Sequence, residues 1–528
     1  MRIFLKKFLD EDFCEIDVKE GTTGEDLCRA YKGKSTYPLV GALYNNHMVH
    51  LTEKVKEMDK VQLLDMRSPS AVHIYQHSVI LVFLKAAADL LGNAAEFKVC
   101  NPVNNGIHIR PRYGNDRLLW GVEKIRNRME EIISLDLPIK KLEEENTYEL
   151  DGYVDKSYDF LLPSTGYIYS FELVKYYNGF LLRYPRTDTP GGLPKNKDDN
   201  KLLKAFHEAD KWESLMGIEY ISDLNEAVLS DKIGQLIQVS EAIHEKNIVE
   251  IAKDITAKQK RIILIAGPSS SGKTSFANRL AIQLRVNGLK PIAFSTDDYF
   301  IDREKMKPDK NGKINFEGLD ALDVELFNRD MNDLLACRTV DIPNFNFITG
   351  KKEFGQRITK LTSDQPIIIE GIHGLNQKLT EDIDDENKYR IYISPLTSLN
   401  IDLHNIVSTS DQRMLRRMIR DYRTRGKSAQ VTISDWPKVR GGEDVNIFPY
   451  INEADVFFNS VFIYGMAVLK KHAQPLLQQV TVDMPEYPEA ERLLKVLSLF
   501  ETCHEEKMIL NNSIIREFIG GSIFFPGE

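Results

Sequence analysis

The sequence predicts an α/β multidomain chain that ends in a doubly wound parallel sheet, preceded by a small β-grasp domain and an α+β domain. Three observations predict it. An apolar run, Ile262 to Ala266, passes through Gly267-Pro-Ser-Ser-Ser-Gly-Lys-Thr274 into an amphipathic stretch from about Thr274 to Asn287. That strand–loop–helix order is the context a P-loop requires. Further apolar runs at Pro291–Thr296, Pro366–Ile372 and Tyr389–Ile393 read as buried strands, as parallel sheets covered on both faces demand. At the front, residues 1–67 alternate apolar and polar (Ile3, Leu5, Phe8; Phe13, Ile16, Val18). A helix-like piece at Thr23–Tyr31 and strands at Val40–Leu43 and Val61–Leu64 follow.

Composition bounds the rest. The 528 residues exceed one ordinary core, and the units divide at 1–67, 68–225 and 226–528. Hydrophobic content of 42% and charged content of 28% are those of a soluble globular protein. A net charge of −9 leaves no excess of cations to replace the counterions of an extended nucleic acid. Cys14, Cys28, Cys100, Cys337 and Cys503 form no CxxC pair, so neither a disulfide framework nor a zinc site is expected. The N-terminus turns acidic at Asp10-Glu11-Asp12 without a signal-peptide core. The longest apolar stretch, Val79 to Leu91, is broken by Lys85 and Asp89 and is too short for a bilayer. A cytoplasmic enzyme or regulator with no membrane segment is expected.

The chemistry concentrates in the third unit. Gly267 and Gly272 let the backbone curl so that its N–H groups face phosphate oxygens, Lys273 supplies charge to the β/γ-phosphates, and the Thr274 hydroxyl ligates Mg²⁺. Ser269, Ser270 and Ser271 suit close backbone approach, and with Ser275 complete the expected ATP cradle. Asp297 ends the next strand, where ligands bind in open α/β sheets; it is placed to accept a proton from an attacking hydroxyl and to help hold the metal. Tyr299 and Phe300 follow it as an expected substrate wall. Glu370, ending the strand Pro366–Ile372, has the Walker-B role of ordering Mg²⁺ and its waters. Arg413, Arg417 and Arg420 recur at i, i+4 and i+7 and share one helical face; Met414 and Met418 line another. The arginines read as a lid that closes over ATP, neutralising phosphoryl charge and excluding water.

Other stretches carry less. His73 and His77 are spaced i, i+4, but no third ligand accompanies them, and with a helix starting near His77 they read as surface or capping residues. Pro185 to Asn200 is a solvated loop with a turn at Gly191-Gly192. Helical patterns run over Leu202–Ser214 and Asn225–Ala252. Glu453–Phe457 reads as an edge strand, and helices at Glu489–Cys503 and Ser513–Ile519 suggest packing only.

Several motifs in order resemble the uridine kinase and phosphoribulokinase group: Asp297-Asp-Tyr-Phe300, Ile314-Asn-Phe-Glu-Gly-Leu-Asp-Ala-Leu-Asp323, Ile342-Pro-Asn-Phe-Asn-Phe347, Ile367-Ile-Ile-Glu-Gly371 and Arg413–Gly426. The resemblance implies Asp297 as general base for a nucleoside 5′-hydroxyl. It places Glu317 where the group has an aspartate on the ribose hydroxyls, and Phe345 where it has a tyrosine near the base. Gly350 falls on a base-reading histidine, a departure that puts pyrimidine specificity in doubt. Arg417 is implied at the substrate ribose, Arg420 and Arg425 at the phosphates. The tail from Trp436 through Tyr450 is similar to that of longer bacterial nucleoside kinases with a front TGS module. Residues 1–67 resemble that TGS domain through Gly21-Thr22-Thr23 and Val61-Gln-Leu-Leu-Asp65. Gly121–Pro138 and Leu162–Phe171 resemble the editing domain of threonyl-tRNA synthetases, whose H-x-x-x-H and C-x-x-x-H pairs here read His77/Leu81 and Ser157/Leu161. The editing constellation is lost.

The expected function is therefore an ATP- and Mg²⁺-dependent nucleoside kinase, with uridine or another pyrimidine nucleoside as substrate. The open alternatives are another small-metabolite kinase of the phosphoribulokinase or pantothenate kinase kind, and an ATP-dependent regulator whose front modules bind RNA. A homo-oligomer is expected.

Overall fold

The computed structural model describes residues 1–528 except 93–95, 113–120, 198–199, 231, 307–314, 316 and 527–528. Ile314 and Phe316 of the Ile314–Asp323 motif, and Asp198 and Asp199 of the Pro185–Asn200 loop, lie outside the described residues.

The front sheet has five strands in the order Cys14–Asp17, Arg2–Lys6, Lys60–Asp65, Leu39–Tyr44, His47–Val49. Its first and last strands in sequence, Arg2–Lys6 and Lys60–Asp65, pair in parallel. The strand His47–Val49, unmarked in the sequence pattern, returns from Leu39–Tyr44 through Asn45 and Asn46, whose φ values of 50° and 65° suit a two-residue hairpin turn. The helix Gly24–Ala30 starts on a capping box formed by Thr23 and Asp26 and buries Leu27 and Cys28 on one face of this sheet.

The other face meets a helix longer than the sequence suggested. It runs Pro69–Leu91, 23 residues, with Pro69 pre-set for the first turn and Gly92 (φ 77°) beyond its last. Val79–Leu91 is only its C-terminal part, and the whole helix is long and apolar enough to cross a membrane. Of its most apolar window, however, 67% is buried inside the protein. Ile74, Tyr75, Val79 and Phe83 share a core with Val40, Leu43 and Leu64 of the front sheet and with Phe97, Ile109 and Phe180 of the next unit. The two front units thus share one apolar core across residue 67.

The middle unit holds a four-stranded antiparallel sheet (order Glu172–Tyr176, Gly179–Arg183, Gly106–Pro111, Phe97–Val103) and a three-stranded one (Tyr153–Lys156, Thr147–Leu150, Ile139–Lys141). The helix Asn200–Leu215 then joins it to the third unit, burying Leu203 and Phe206 against Val103, Leu181 and Leu396. The pattern read as one helix over Asn225–Ala252 is two, Ile221–Leu229 and Ile233–Ala257.

In the third unit five strands are all parallel, in the order Ile292–Ser295, Ile367–Glu370, Ile262–Ala266, Lys388–Ser394, Val456–Asn459. Alternate residues face opposite ways, as strand geometry dictates. Ile263, Ile265, Ile368, Ile391 and Ile393 pack with Phe276, Leu280, Met414 and Met418; Ile262, Leu264, Ile367 and Ile369 pack with Phe327, Met331 and Leu334. Helices therefore cover both faces. Register sets Glu370 beside Ile265 and Ser295, so the functional ends of three strands lie together. The last helices are Tyr487–Ser498 and Arg516–Ile519, shorter than the patterns read over Glu489–Cys503 and Ser513–Ile519.

Candidate functional site

The site sits at the C-terminal edge of this sheet. A Cβ on Gly267 would collide with the Ile393 carbonyl oxygen, so the loop leaves its strand as close to the neighbour as glycine permits. Ser270 (φ 60°) and Gly272 (φ 87°) are both left-handed. Left-handed residues in such a loop are those from which a phosphate-binding nest of N–H groups is built, and the helix Lys273–Val286 that follows adds the positive end of its dipole. Lys273 Nζ donates to the Gly267 and Pro268 carbonyls at 3.0 and 3.3 Å, folded back over its own loop. Burial lowers its pKa, opposed by the charges of Glu370, Glu517 and Asp297.

The Thr274 hydroxyl donates to both Glu370 oxygens, at 2.8 and 3.0 Å. Burial raises the Glu370 carboxyl to about 7, with Lys273 and Thr274 pulling the other way. A hydroxyl and a carboxylate in contact at a phosphate loop are the hard-oxygen donor set that Mg²⁺ accepts, and a cation there would return Glu370 to the ionised form. The donors fit the ion.

Asp297 and Asp298 divide their labour. Asp298 accepts from the Ser295 N–H at 3.3 Å and pairs with Arg357 at 2.9 Å, holding the turn Thr296–Tyr299. The Asp297 carboxylate has no hydrogen-bond partner among the described residues and is exposed. Its charge reaches Lys273 and Glu317.

The expected aromatic wall needs correction. Tyr299 is fully buried, its hydroxyl on Asp330 at 3.3 Å and its ring against Phe327; it is a core residue because its turn directs it under the sheet edge. Phe300 and Phe345 are buried as well, stacked edge-to-face with centroids 5.5 Å apart. Among the described residues the exposed ring of that cluster is Phe347, 5.2 Å from Phe345 and 57% exposed, a position to which the sequence pattern assigns no site role. Gly350 has φ 70°, and a Cβ there would lie 2.9 Å from Cβ and 3.1 Å from Nε of Arg303. Arg303 in turn donates to the Phe347 carbonyl at 2.8 Å. No room remains for a larger side chain at 350. Glu317 is half-buried, its carboxyl raised by burial and lowered by Arg417, with one oxygen 3.0 Å from where a Gly442 Cβ would stand.

The arginine helix runs Thr409–Arg425. Arg417 donates to the Ser269 hydroxyl at 2.7 Å and so touches the loop tip. Arg417, Arg420 and Arg425 all reach the buried Asp421, at 3.4, 2.8 and 3.4 Å, a focus unnoticed in the sequence. Arg413 does not share their open face. It is 2% exposed, donates to the Ser269 carbonyl at 3.1 Å, pairs with the buried Glu443 and lies over Trp436. Glu443 also accepts from the Ser269 N–H at 2.9 Å and pairs with Arg440 at 2.9 Å. The loop tip is thereby clamped by two helices. Nor is the tail only packing: Glu517 accepts from the Ser275 hydroxyl at 2.8 Å.

In the middle unit His77, Leu81, Ser157 and Leu161 do converge, around a cavity of about 10 Å³, room for barely one water. It is closed by His404 and Asn405 of the third unit; His404 pairs with Asp155 at 2.8 Å and Asn405 donates to the Lys156 carbonyl at 3.0 Å. Both His73 and His77 lie on the helix Pro69–Leu91, away from its cap, and His77 pairs with Asp159 at 3.3 Å; they are half-buried rather than surface or capping residues.

Residues 262–464 match the Phosphoribulokinase / Uridine kinase family. The chain is 30% identical over 175 residues to a uridine kinase of Lactobacillus helveticus, covering 33% of this chain and 74% of that protein. It is 28% identical over 176 residues to a uridine kinase of Ligilactobacillus salivarius, covering 33% and 73%. A solved structure described as a possible uridine kinase from Bacillus stearothermophilus is 21% identical, with a TM-score of 0.28, covering 40% of this chain and 98% of that one. All of these matches leave most of the front of the chain uncovered.

Proposed function

We propose, on the premise that this chain belongs through its C-terminal region to the phosphoribulokinase / uridine kinase family, that it is an ATP-dependent nucleoside kinase acting on a 5′-hydroxyl. The observation that carries the reading is the pair of unequal aspartates. Asp298 is consumed by structure, while Asp297 stands unpartnered within electrostatic reach of Lys273. A carboxylate so placed orients the acceptor hydroxyl and takes its proton as the oxygen attacks the γ-phosphoryl in line. Lys273 leaves its carbonyl partners for the transferred phosphoryl oxygens, and the N–H nest supports the remaining phosphates. Thr274 and Glu370 would hold a Mg²⁺ ion, which would supply neutralising charge for the triphosphate. Arg417 bridges from the loop tip toward Glu317, aligning donor and acceptor halves, and the Asp421 cluster holds Arg420 and Arg425 ready at the phosphates.

Uridine is the first acceptor to try, because the named relatives are uridine kinases. One observation favours a different acceptor: Arg303 fills the space beside Gly350. A panel of nucleosides, sugars and small alcohol-bearing acids, each with ATP and Mg²⁺ and read by ADP release, separates the two. Release with pyrimidine nucleosides supports the first reading. Release only with other acceptors keeps the kinase and discards the pyrimidine, and release stimulated by tRNA with no acceptor phosphorylated discards the kinase.

A further inference from the structure

We propose that Glu517, on the C-terminal segment, is a built-in competitor for the donor phosphates: its carboxylate fills the anion position at the start of the P-loop helix, and nucleotide binding swings it aside. The inference rests on the reading of Gly267–Thr274 as a triphosphate cradle and adds a controlling residue to that site.

The first N–H groups of the helix Lys273–Val286 have no partners within the helix, and with its dipole they favour an anion. In a P-loop that anion is a nucleotide phosphate. Here Ser275, in the first turn, gives both its hydroxyl (2.8 Å) and its backbone N–H (3.4 Å) to one and the same oxygen of Glu517. Ser275 is fully buried beneath this contact. A carboxylate of the protein therefore holds a donor pair suited to phosphate, and its negative charge reaches Lys273 and Glu370. A triphosphate in the cradle would meet it as a like charge.

The segment that carries Glu517 is fixed. Ile514, Ile515 and Phe518 are fully buried in the main core, and Ile514 presses on Gly272 so closely that a Cβ there would collide with it. Arg423 donates to the Glu517 and Phe518 carbonyls, and Arg516 to those of Glu506 and Ile509. Release of the whole tail would open this core. The element free to move is the Glu517 side chain, which is half-buried rather than locked in the core.

A second resting place exists for it. Arg416 is fully buried over the Phe518 ring at 5.1 Å, and spends one nitrogen on the Ser460 carbonyl at 3.0 Å. Its Nε and Nη1 have no hydrogen-bond partner among the described residues. A buried guanidinium with idle donors is costly, and Glu517 is the carboxylate whose charge reaches it most. Rotation of Glu517 from Ser275 to Arg416 satisfies the arginine and clears the phosphate position together. The pair forms a two-position latch set by the donor nucleotide.

The test is titration calorimetry of ATP, ADP and adenosine on the full chain, wild type against Glu517→Gln and Glu517→Ala. The latch predicts that both variants bind ATP and ADP about ten-fold more tightly or better, the scale of one charge-assisted contact, with adenosine unchanged. Variants that bind ATP equally or more weakly overturn it. If no protein, wild type included, binds ATP, the P-loop reading itself fails. A structure of the wild-type chain with ADP decides independently of any folding defect: Glu517 on Arg416 supports the latch, and Glu517 still on Ser275 overturns it.

Discussion

Replacing Asp297 by Asn isolates the acceptor chemistry. The side chain is exposed, and its carboxylate makes no hydrogen bond among the described residues, so an amide of the same shape leaves packing intact. Stability should change by no more than about 0.5 kcal/mol, as for surface positions without partners. Losing a positioned general base costs about a hundred- to ten-thousand-fold in rate. That corresponds to about 3 to 5 kcal/mol on the barrier. Donor binding loses nothing: Lys273, Thr274 and the N–H nest are untouched, and a negative charge near the phosphates disappears. The assay is initial-rate ADP release at saturating acceptor, alongside calorimetric ATP binding and a thermal melt. The account expects kcat to collapse while ATP binding and Tm hold. Near-normal turnover refutes the base assignment, and a parallel loss of ATP binding shows that the residue shapes the donor site instead.

Three further perturbations follow from the same geometry. Glu443→Gln strands the buried Arg413 guanidinium and weakens the acceptor of the Ser269 N–H, so thermal unfolding should show a loss of about 3 to 5 kcal/mol together with weaker ATP binding. Gly272→Ala forces a side chain into a left-handed residue (φ 87°) against Ile514; soluble yield and Tm should fall, and ATP binding should vanish. Glu213 is 3% exposed, and burial raises its pKa well above the ordinary value, so the folded chain holds a proton there that the unfolded chain releases. Its contribution is present below the unfolded pKa and is lost as pH rises toward the folded one. Glu213→Gln should therefore melt higher than wild type in alkaline buffer and alike in acid; equal melting at both pH values contradicts this.

Motif and spacing located the donor half of the site because P-loop chemistry is local. Gly267 to Ser275 is contiguous, and Asp297 and Glu370 end strands whose apolar runs are plain. Contacts between distant segments left no such mark. The i, i+4, i+7 spacing put Arg413 on a face with Arg417 and Arg420, but Glu443 and Trp436, on a later helix, turn it inward. Tyr299 follows a strand end, where an aromatic serves a wall or a core equally well; Asp330 on the next helix decides for the core. Glu517 sits 242 residues from Ser275 in a tail with no motif. The helix Pro69–Leu91 reads shorter in the sequence because His73, Gln76 and His77 dilute its apolar face, although Pro69 marks its start. In the middle unit, resemblance alone links His77, Leu81, Ser157 and Leu161, and the tertiary structure shows His404 and Asn405 closing the space between them.

The most direct test of the central claim is the identity of the phosphorylated product. Uridine, ATP and Mg²⁺ are incubated with the chain and with its Lys273→Ala variant, and the products are resolved by mass spectrometry and phosphorus NMR. The account predicts uridine 5′-monophosphate formed one for one with ADP by the wild type and not by the variant. ADP appearing with free phosphate and unmodified uridine, or a phosphate on any other hydroxyl, contradicts it.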